Sequence, residues 1–150
     1  MQDNSRNIYK NARKYAGMTQ ERWAEAIGCS VESVRNYEAG TQIPSDEIAR
    51  AMAESSSQLI LCYWHICNKS SLAYDELPEL DRLPLPQAVL ELLVAMDEFT
   101  ARNGDLMRVA SDGRISPDEV ESWASIRAKL DAVVRAALQV KYSEGGGAGA

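Results

Sequence analysis

The chain has 150 residues, of which 45% are hydrophobic, and its formal net charge is −6. That length can bury one or two ordinary cores, and because no run of about eighteen apolar residues occurs, the sequence predicts neither a membrane span nor, in MQDNSRNIYK, a signal peptide. Three cysteines without a C-x-x-C pair are typical of a reducing compartment, and we expect a cytoplasmic protein.

The first predicted helix spans residues 5–16. Ile8, Ala12 and Tyr15 recur at helical spacing and form one apolar stripe, and Gly17 provides a stop. Its other face carries four cations, which are Arg6, Lys10, Arg13 and Lys14. Such a face is typical either of a solvated helix surface or of a surface for an anionic partner.

A second, shorter helix is predicted directly after that stop. Thr19 is suited to be its N-cap, because a threonine side chain can accept from the free amides of a first turn. Trp23, Ala26 and Ile27 lie at i, i+3 and i+4 and form its apolar stripe. Gly28 then ends the helix, since glycine adopts the left-handed conformation readily.

A third helix follows after a tight turn. Ser30 is its predicted N-cap, Val31, Val34 and Tyr37 are its apolar positions, and Gly40 closes it. A glycine in the turn lets the two helices meet steeply, as they do in a helix-turn-helix that lowers its second helix into a DNA major groove. The pair therefore predicts a helix-turn-helix.

Further residues stand at fixed distances around this pair. They are Gly17-Met18-Thr19-Gln20-Glu21, Ala24, Gly28, Ser30, Val34, Glu38-Ala39-Gly40 and Ile43-Pro44-Ser45. With them, residues 6–54 resemble the Cro/C1-type (XRE-like) DNA-binding family. The resemblance implies a small helical DNA-binding domain whose recognition helix is residues 31–38.

The outward positions of that helix are the candidates for reading DNA. Matched residue by residue, the resemblance implies that Val31, Glu32 and Asn36 face the bases. Asn36 can pair with adenine, Glu32 can accept from cytosine N4, and Val31 can touch a thymine methyl. The alternative is that Glu32 and Arg35, at i and i+3, only form a salt bridge in solvent.

Supporting contacts are assigned to a second set of residues. Gln20 is expected to bind phosphate and a neighbouring side chain, and the remaining phosphate or supporting residues are Arg35, Arg13, Lys10 and Thr41. The resemblance also implies a buried or partly buried ion pair between Arg13 and Glu38.

Charge is divided unevenly along the chain. Residues 1–54 carry seven Lys or Arg and eight Asp or Glu, a net of −1, whereas residues 55–150 carry nine and fourteen, a net of −5. DNA-binding surfaces are usually basic, so we expect modest, salt-sensitive affinity that depends on dimerisation.

Two more helices complete the predicted first domain, residues 1–67. Ser45 caps a fourth helix, which breaks at Ser55-Ser56-Ser57. The run QLILCYWHIC, residues 58–67, is apolar nearly all round and predicts a buried fifth helix that closes the bundle or contacts a second subunit.

Residues 68–85 predict a linker. Leu-Pro pairs occur at 77–78, 83–84 and 85–86, and each proline disfavours a helical conformation in the residue before it. An extended, semi-stiff connection is therefore expected, with a second domain after it.

Residues 86–142 predict an antiparallel helical hairpin, followed by a disordered tail over residues 143–150. The first arm begins at Pro86, can kink at Gly104 and ends at Asp112-Gly113; Ser116 is the expected N-cap of the second arm. One hairpin seam cannot bury all the apolar residues, so another copy or the first domain must cover the rest, and a homodimer is the simplest arrangement. This region also resembles the C-terminal part of phage CII-like regulatory proteins.

Metal and catalytic sites are not expected. The run from Asp112 to Glu119 resembles half of an EF-hand loop, but the first ligand positions would be Arg108 and Ala110, which cannot bind calcium. Cys62, His65 and Cys67 lack a fourth zinc ligand nearby, so His65 is interpreted as a core or interface residue. No cofactor motif occurs, and an enzyme is not predicted.

The sequence thus predicts an all-α, two-domain regulator that binds specific double-stranded DNA as a homodimer, of phage or mobile-element type. An acidic surface favours an alternative, an antitoxin-like or scaffold protein whose main partner is another protein, bound on the C-terminal hairpin. A small unrecognised enzyme is the third hypothesis.

Overall fold

The computed structural model describes residues 7–144, and the helices in that range confirm the all-α prediction. In chain order they are α1 (Ile8–Tyr15), α2 (Gln20–Ile27), α3 (Val31–Ala39), α4 (Asp46–Ser56), α5 (Ile60–Lys69), α6 (Ser71–Glu76), α7 (Leu85–Thr100), α8 (Asn103–Asp112) and α9 (Val120–Tyr142). They form two units that divide between Leu77 and Pro78. Residues 5–6 of the predicted first helix and 145–150 of the predicted tail lie outside the described residues.

Each of the first four helices begins at a side chain that accepts from an amide of its first turn. The pairs are Asn7 with Lys10, Thr19 with Arg22, Ser30 with Ser33, and Ser45 with Ile48. The three caps predicted from sequence are confirmed. Gly28 at φ +72° and Gly40 at φ +75° end α2 and α3 in the left-handed conformation, as predicted.

One core lies among α1 to α5. Every helix contributes at least one side chain that is at most 1% exposed, namely Ala12, Trp23, Val34, Met52 and Leu61 in chain order. Shared burial of this kind holds short helices that would be marginal alone. The first unit is therefore a small bundle in which α2 and α3 are consecutive neighbours.

The fifth helix differs from its prediction. It begins at Ile60 rather than at residue 58, and Gln58, which precedes it, is fully buried with its Nε2 donating to the Ala12 carbonyl at 2.8 Å. Leu59 and Ile66 are 54% and 50% exposed, so the helix is not covered on all sides. The apolar sequence of residues 58–67 therefore predicted more burial of this helix than the structure shows.

The predicted linker over residues 68–85 is corrected by the structure. Its first part continues α5 and then forms α6, whose N-cap Ser70 accepts from the Ala73 amide. The helix ends at Glu76 because Leu77, which precedes Pro78, is extended with φ −98° and ψ 143°. Pro78 thus ends a helix as predicted, but the extended segment begins only at Leu77 and not at residue 68.

The second part of that stretch, residues 78–84, packs within the second unit. Leu80 is 3% exposed, and the buried Gln139 side chain binds both the amide and the carbonyl of Asp81. Arg135 also donates to the Glu79 carbonyl at 3.0 Å. The proline-containing segment is therefore attached to α9 by hydrogen bonds between its backbone and the side chains of Gln139 and Arg135.

The second unit contains the predicted antiparallel pair, formed by α7 and α9. Its ends are marked by a bridge between Pro84 and Glu144 and, at the other end, by bonds from Arg102 to Ser122 and Ser125. Ile126, at 1% exposure, lies in the seam. Within residues 7–144 no helix is long and apolar enough to cross a membrane.

The arms of the hairpin begin and end differently from the prediction. The first arm breaks at residues 101–102, where Arg102 binds Asp105, and Gly104 lies within α8 rather than at a kink. The second arm begins only at Val120 and has no side-chain cap, whereas Ser116 donates from its amide and its hydroxyl to the Glu119 carboxylate. Gly113, at φ +67°, ends α8 as predicted.

Candidate nucleic-acid interface

Within the helix pair α2 and α3, one side of α3 is buried and the other is open to solvent. Val34 and Tyr37 are 1% and 6% exposed and hold the inner side against the core. On the other side, the Glu32 and Arg35 side chains are 72% and 57% exposed. Val31 and Asn36 are partly exposed, and Val31 also packs against the core. The open side thus holds the four residues considered for DNA reading, whose base contacts stay a prediction.

A buried ion pair joins α1 to α3. Arg13 donates from Nη2 to Glu38 Oε2 at 3.0 Å and from Nε to Oε1, and the two side chains are only 13% and 6% exposed. Gln20 Nε2 donates to the same carboxylate at 2.9 Å, which brings α2 into the network. The ion pair predicted from the family resemblance is therefore confirmed.

The ionisation of this pair follows from its partners. Burial opposes the charged form of Glu38, but hydrogen bonds from Arg13 and Gln20 and the charges of Arg13 and Lys10 lower the Glu38 pKa below its ordinary value. The hydrogen bond to Glu38 likewise raises the pKa of Arg13, against the effect of burial. Both groups are therefore charged at neutral pH.

Arg13 was predicted to contact phosphate or to support the site, and this network shows where its donors lie in the folded unit. Its third nitrogen, Nη1, donates to the Met18 carbonyl at 2.8 Å, in the turn between α1 and α2. Each of its three guanidinium nitrogens donates inside the bundle, and the side chain is 13% exposed. A contact of Arg13 with phosphate stays a prediction. Its place in the structure is that of a connector between helices.

The other predicted supporting residues lie around the same network. Gln20 reaches a neighbouring side chain as expected, and that neighbour is Glu38. Lys10 is partly exposed on α1, and Thr41 is exposed with its hydroxyl donating to the Asn36 carbonyl at 3.2 Å. Contacts of Gln20, Lys10, Thr41 and Arg35 with phosphate stay predictions.

Asn7 has a second function that the sequence interpretation missed. Besides capping α1, it donates from Nδ2 to the Tyr37 carbonyl at 2.8 Å and so ties the start of α1 to the last turn of α3. The preference of asparagine for the N-cap position was the available signal. Its long-range bond had no sequence signal, because it spans 30 positions.

His65 lies in the interior of the bundle, as predicted. It is 3% exposed, with Nδ1 2.8 Å from the Tyr9 hydroxyl and Nε2 3.1 Å from Asp46 Oδ1. Asp46 also accepts from Lys69 at 2.6 Å. His65 therefore joins α1, α4 and α5.

Among the described residues no group of three or more acidic, histidine or cysteine side chains could hold a metal ion.

Comparison with known families locates a match in the first unit. A family model described as Helix-turn-helix matches residues 10–55, which run from α1 into α4. The Cro/C1-type resemblance is thereby confirmed for that segment, and the match supports a DNA-binding regulator. No curated protein and no solved structure matches the chain. The CII-like resemblance of the C-terminal part stays a prediction.

Removing the Glu38 carboxylate should destabilise the first unit strongly. We expect Glu38→Ala to lower the free energy of unfolding by about 3 to 5 kcal/mol, because it leaves the Arg13 charge buried and unpaired. Glu32→Ala removes an exposed acid from the same helix and should cost no more than about 1 kcal/mol. Calorimetric unfolding of both variants tests this, and equal losses would contradict it.

The same carboxylate should make stability sensitive to acid. Because the folded pKa of Glu38 is below its ordinary value of 4.5, its contribution is fully present above that pH and is lost as the pH falls through the folded pKa. The stability difference between the wild type and Glu38→Gln should therefore shrink on acidification. Urea unfolding of both proteins at a series of pH values measures it, and a constant difference would refute this origin.

Proposed function

We propose that the protein is a transcriptional regulator that binds specific double-stranded DNA as a homodimer, of the phage or mobile-element type that its C-terminal resemblance implies. The observation that carries the proposal is the setting of α3. Its inner side is packed, Glu38 ties it to α1 and α2, and its outer side is open. A helix held in this way can enter a major groove without rearranging.

Base contacts are proposed for the open side of α3. Asn36 can present its amide to adenine N6 and N7, and Glu32 can accept from cytosine N4. Val31, in the first turn, can contact a thymine methyl. Each of these base edges is complementary to the side chain that contacts it, so the three contacts together would define part of an operator.

Phosphate contacts are proposed for residues beside that helix. Gln20 lies at the first position of α2, where amide groups are not used inside the helix and attract anions. Lys10 and the exposed Lys14 add positive charge on α1. The first 54 residues carry a net charge of only −1, so these few cations must act locally and their contribution should fall steeply with salt.

Dimerisation is proposed through the outer face of α7, which consists of Val89, Leu90, Leu93, Val94 and Met96. These side chains are between 37% and 64% exposed, while Ala88 and Ala95 on the inner side meet α9 and are buried. Five large apolar side chains on one helix form a patch that water does not favour. A second copy can cover it by an isologous contact, which also doubles the DNA contacts.

Asn36→Ala should separate base reading from general attraction. We expect it to weaken binding to a preferred duplex by about 1 to 3 kcal/mol and to relax selection at one base pair. Lys10→Ala should weaken all duplexes alike and reduce the slope of affinity against salt. Fluorescence anisotropy with a selected and a scrambled duplex measures both effects, and equal losses for Asn36→Ala on the two duplexes would contradict base reading.

An acid in the outer face of α7 should dissociate the dimer. Leu93→Glu places a charge in the middle of the proposed interface, where burial without a partner is costly. Sedimentation equilibrium of the full chain should then show a dimer for the wild type and a monomer for the variant. Ala128→Glu, at an exposed position of α9, is the matched control and should remain dimeric. A monomeric wild type would refute the proposal.

A further inference from the structure

Glu32 and Arg35 form a pair on the open side of α3 that the proposed base contacts treat separately. Arg35 Nη1 lies 3.6 Å from Glu32 Oε2, and the two side chains are 57% and 72% exposed. Their spacing of i and i+3 places them on one strip of the helix surface. An acceptor and a forked donor therefore stand side by side on the surface that the proposed function directs into the groove.

This arrangement is the chemical complement of one base pair. In the major groove a C·G pair presents the cytosine N4 amino group as a donor beside guanine O6 and N7 as acceptors. The Glu32 carboxylate can accept from N4 while the Arg35 guanidinium donates to O6 and N7. We infer that Glu32 and Arg35 read a single C·G pair as a unit, an inference that rests on the proposed entry of α3 into the groove.

Electrostatics favour joint reading over reading by Glu32 alone. A lone carboxylate that approaches two phosphate backbones meets repulsion, whereas a carboxylate that arrives with a guanidinium adds no net charge. The pair is exposed and its members are 3.6 Å apart, so it is weakly held and both groups can turn toward a base edge at small cost. Arg35 is thereby assigned to a base rather than to phosphate.

Joint reading also predicts which orientation of the base pair, C·G or G·C, the protein prefers. The donor and acceptor follow one another along the helix, so a C·G pair and a G·C pair at the same position present the complementary groups in opposite order. The wild type should accept only one of these orientations. A solvent salt bridge has no such preference, because it makes no base contact.

The test begins with selection of preferred duplexes by the full-length wild type from a random pool. Replacing the C·G pair in the selected site by T·A should weaken wild-type binding about 5- to 150-fold in anisotropy titrations. Glu32→Ala and Arg35→Ala should each abolish this discrimination, and the double variant should lose no more, since the two side chains act on one pair. Additive losses in that cycle would overturn joint reading.

A charge swap supplies the sharper measurement. The variant Glu32→Arg with Arg35→Glu keeps the net charge and the ion pair but reverses the order of donor and acceptor. It should prefer G·C over C·G at that position, by about the factor that the wild type shows for the reverse. Retention of the original orientation, or indifference to it, would overturn the inference.

Controls separate this inference from the proposed function. Arg22→Gln and Glu25→Gln remove exposed charges of the same signs from α2 and should change affinity for all duplexes alike. A wild type that selects a site but shows no coupling between Glu32 and Arg35 would overturn only the joint reading. A wild type that selects no site would overturn the proposed function, and this inference with it.

Discussion

A buried carboxylate determines how the first unit can be arranged. Glu38 is 5% exposed, and an acid at that depth is tolerated only where its charge is matched and its oxygens accept hydrogen bonds. The donors come from Arg13 on α1 and Gln20 on α2, so the requirement of one side chain on α3 aligns three helices. The position of α3 is consequently a result of polar satisfaction as well as of apolar packing.

The same network explains how a unit with little positive charge can present a binding helix. Its best-buried arginine is used inside the bundle, which leaves few cations for phosphate and makes the geometry of α3 more important than bulk charge. An isolated unit of this kind would bind DNA weakly. The dimer that we propose through the apolar outer face of α7 would offset this weakness, because two linked units gain effective concentration without any new contact.

Helix ends and helix faces were predictable because their causes are local. Thr19, Ser30 and Ser45 cap helices through amides three residues away, and Gly28 and Gly40 relieve the strain of a left-handed residue, so each signal lies within one turn. The linker prediction failed for the complementary reason. Side chains of α9, more than 50 positions away, bind the backbone of Glu79 and Asp81. No local pattern in a polar, proline-containing stretch predicts hydrogen bonds to side chains of a distant helix.

By itself, the sequence determined the all-α class, the helix-turn-helix and the caps, since periodicity, capping chemistry and motif spacing involve residues that are close along the chain. The pairing of Arg13 with Glu38, which are 25 positions apart, was implied by the family resemblance and not by any local pattern. Only the tertiary structure decided how polar groups are shared among distant elements. It turned Arg13 inward, where every guanidinium nitrogen donates a hydrogen bond, and it bound Asn7 to the Tyr37 carbonyl. The physical reason is that hydrogen-bond satisfaction of a buried group depends on which chain segments surround it, and those segments meet only in the folded protein.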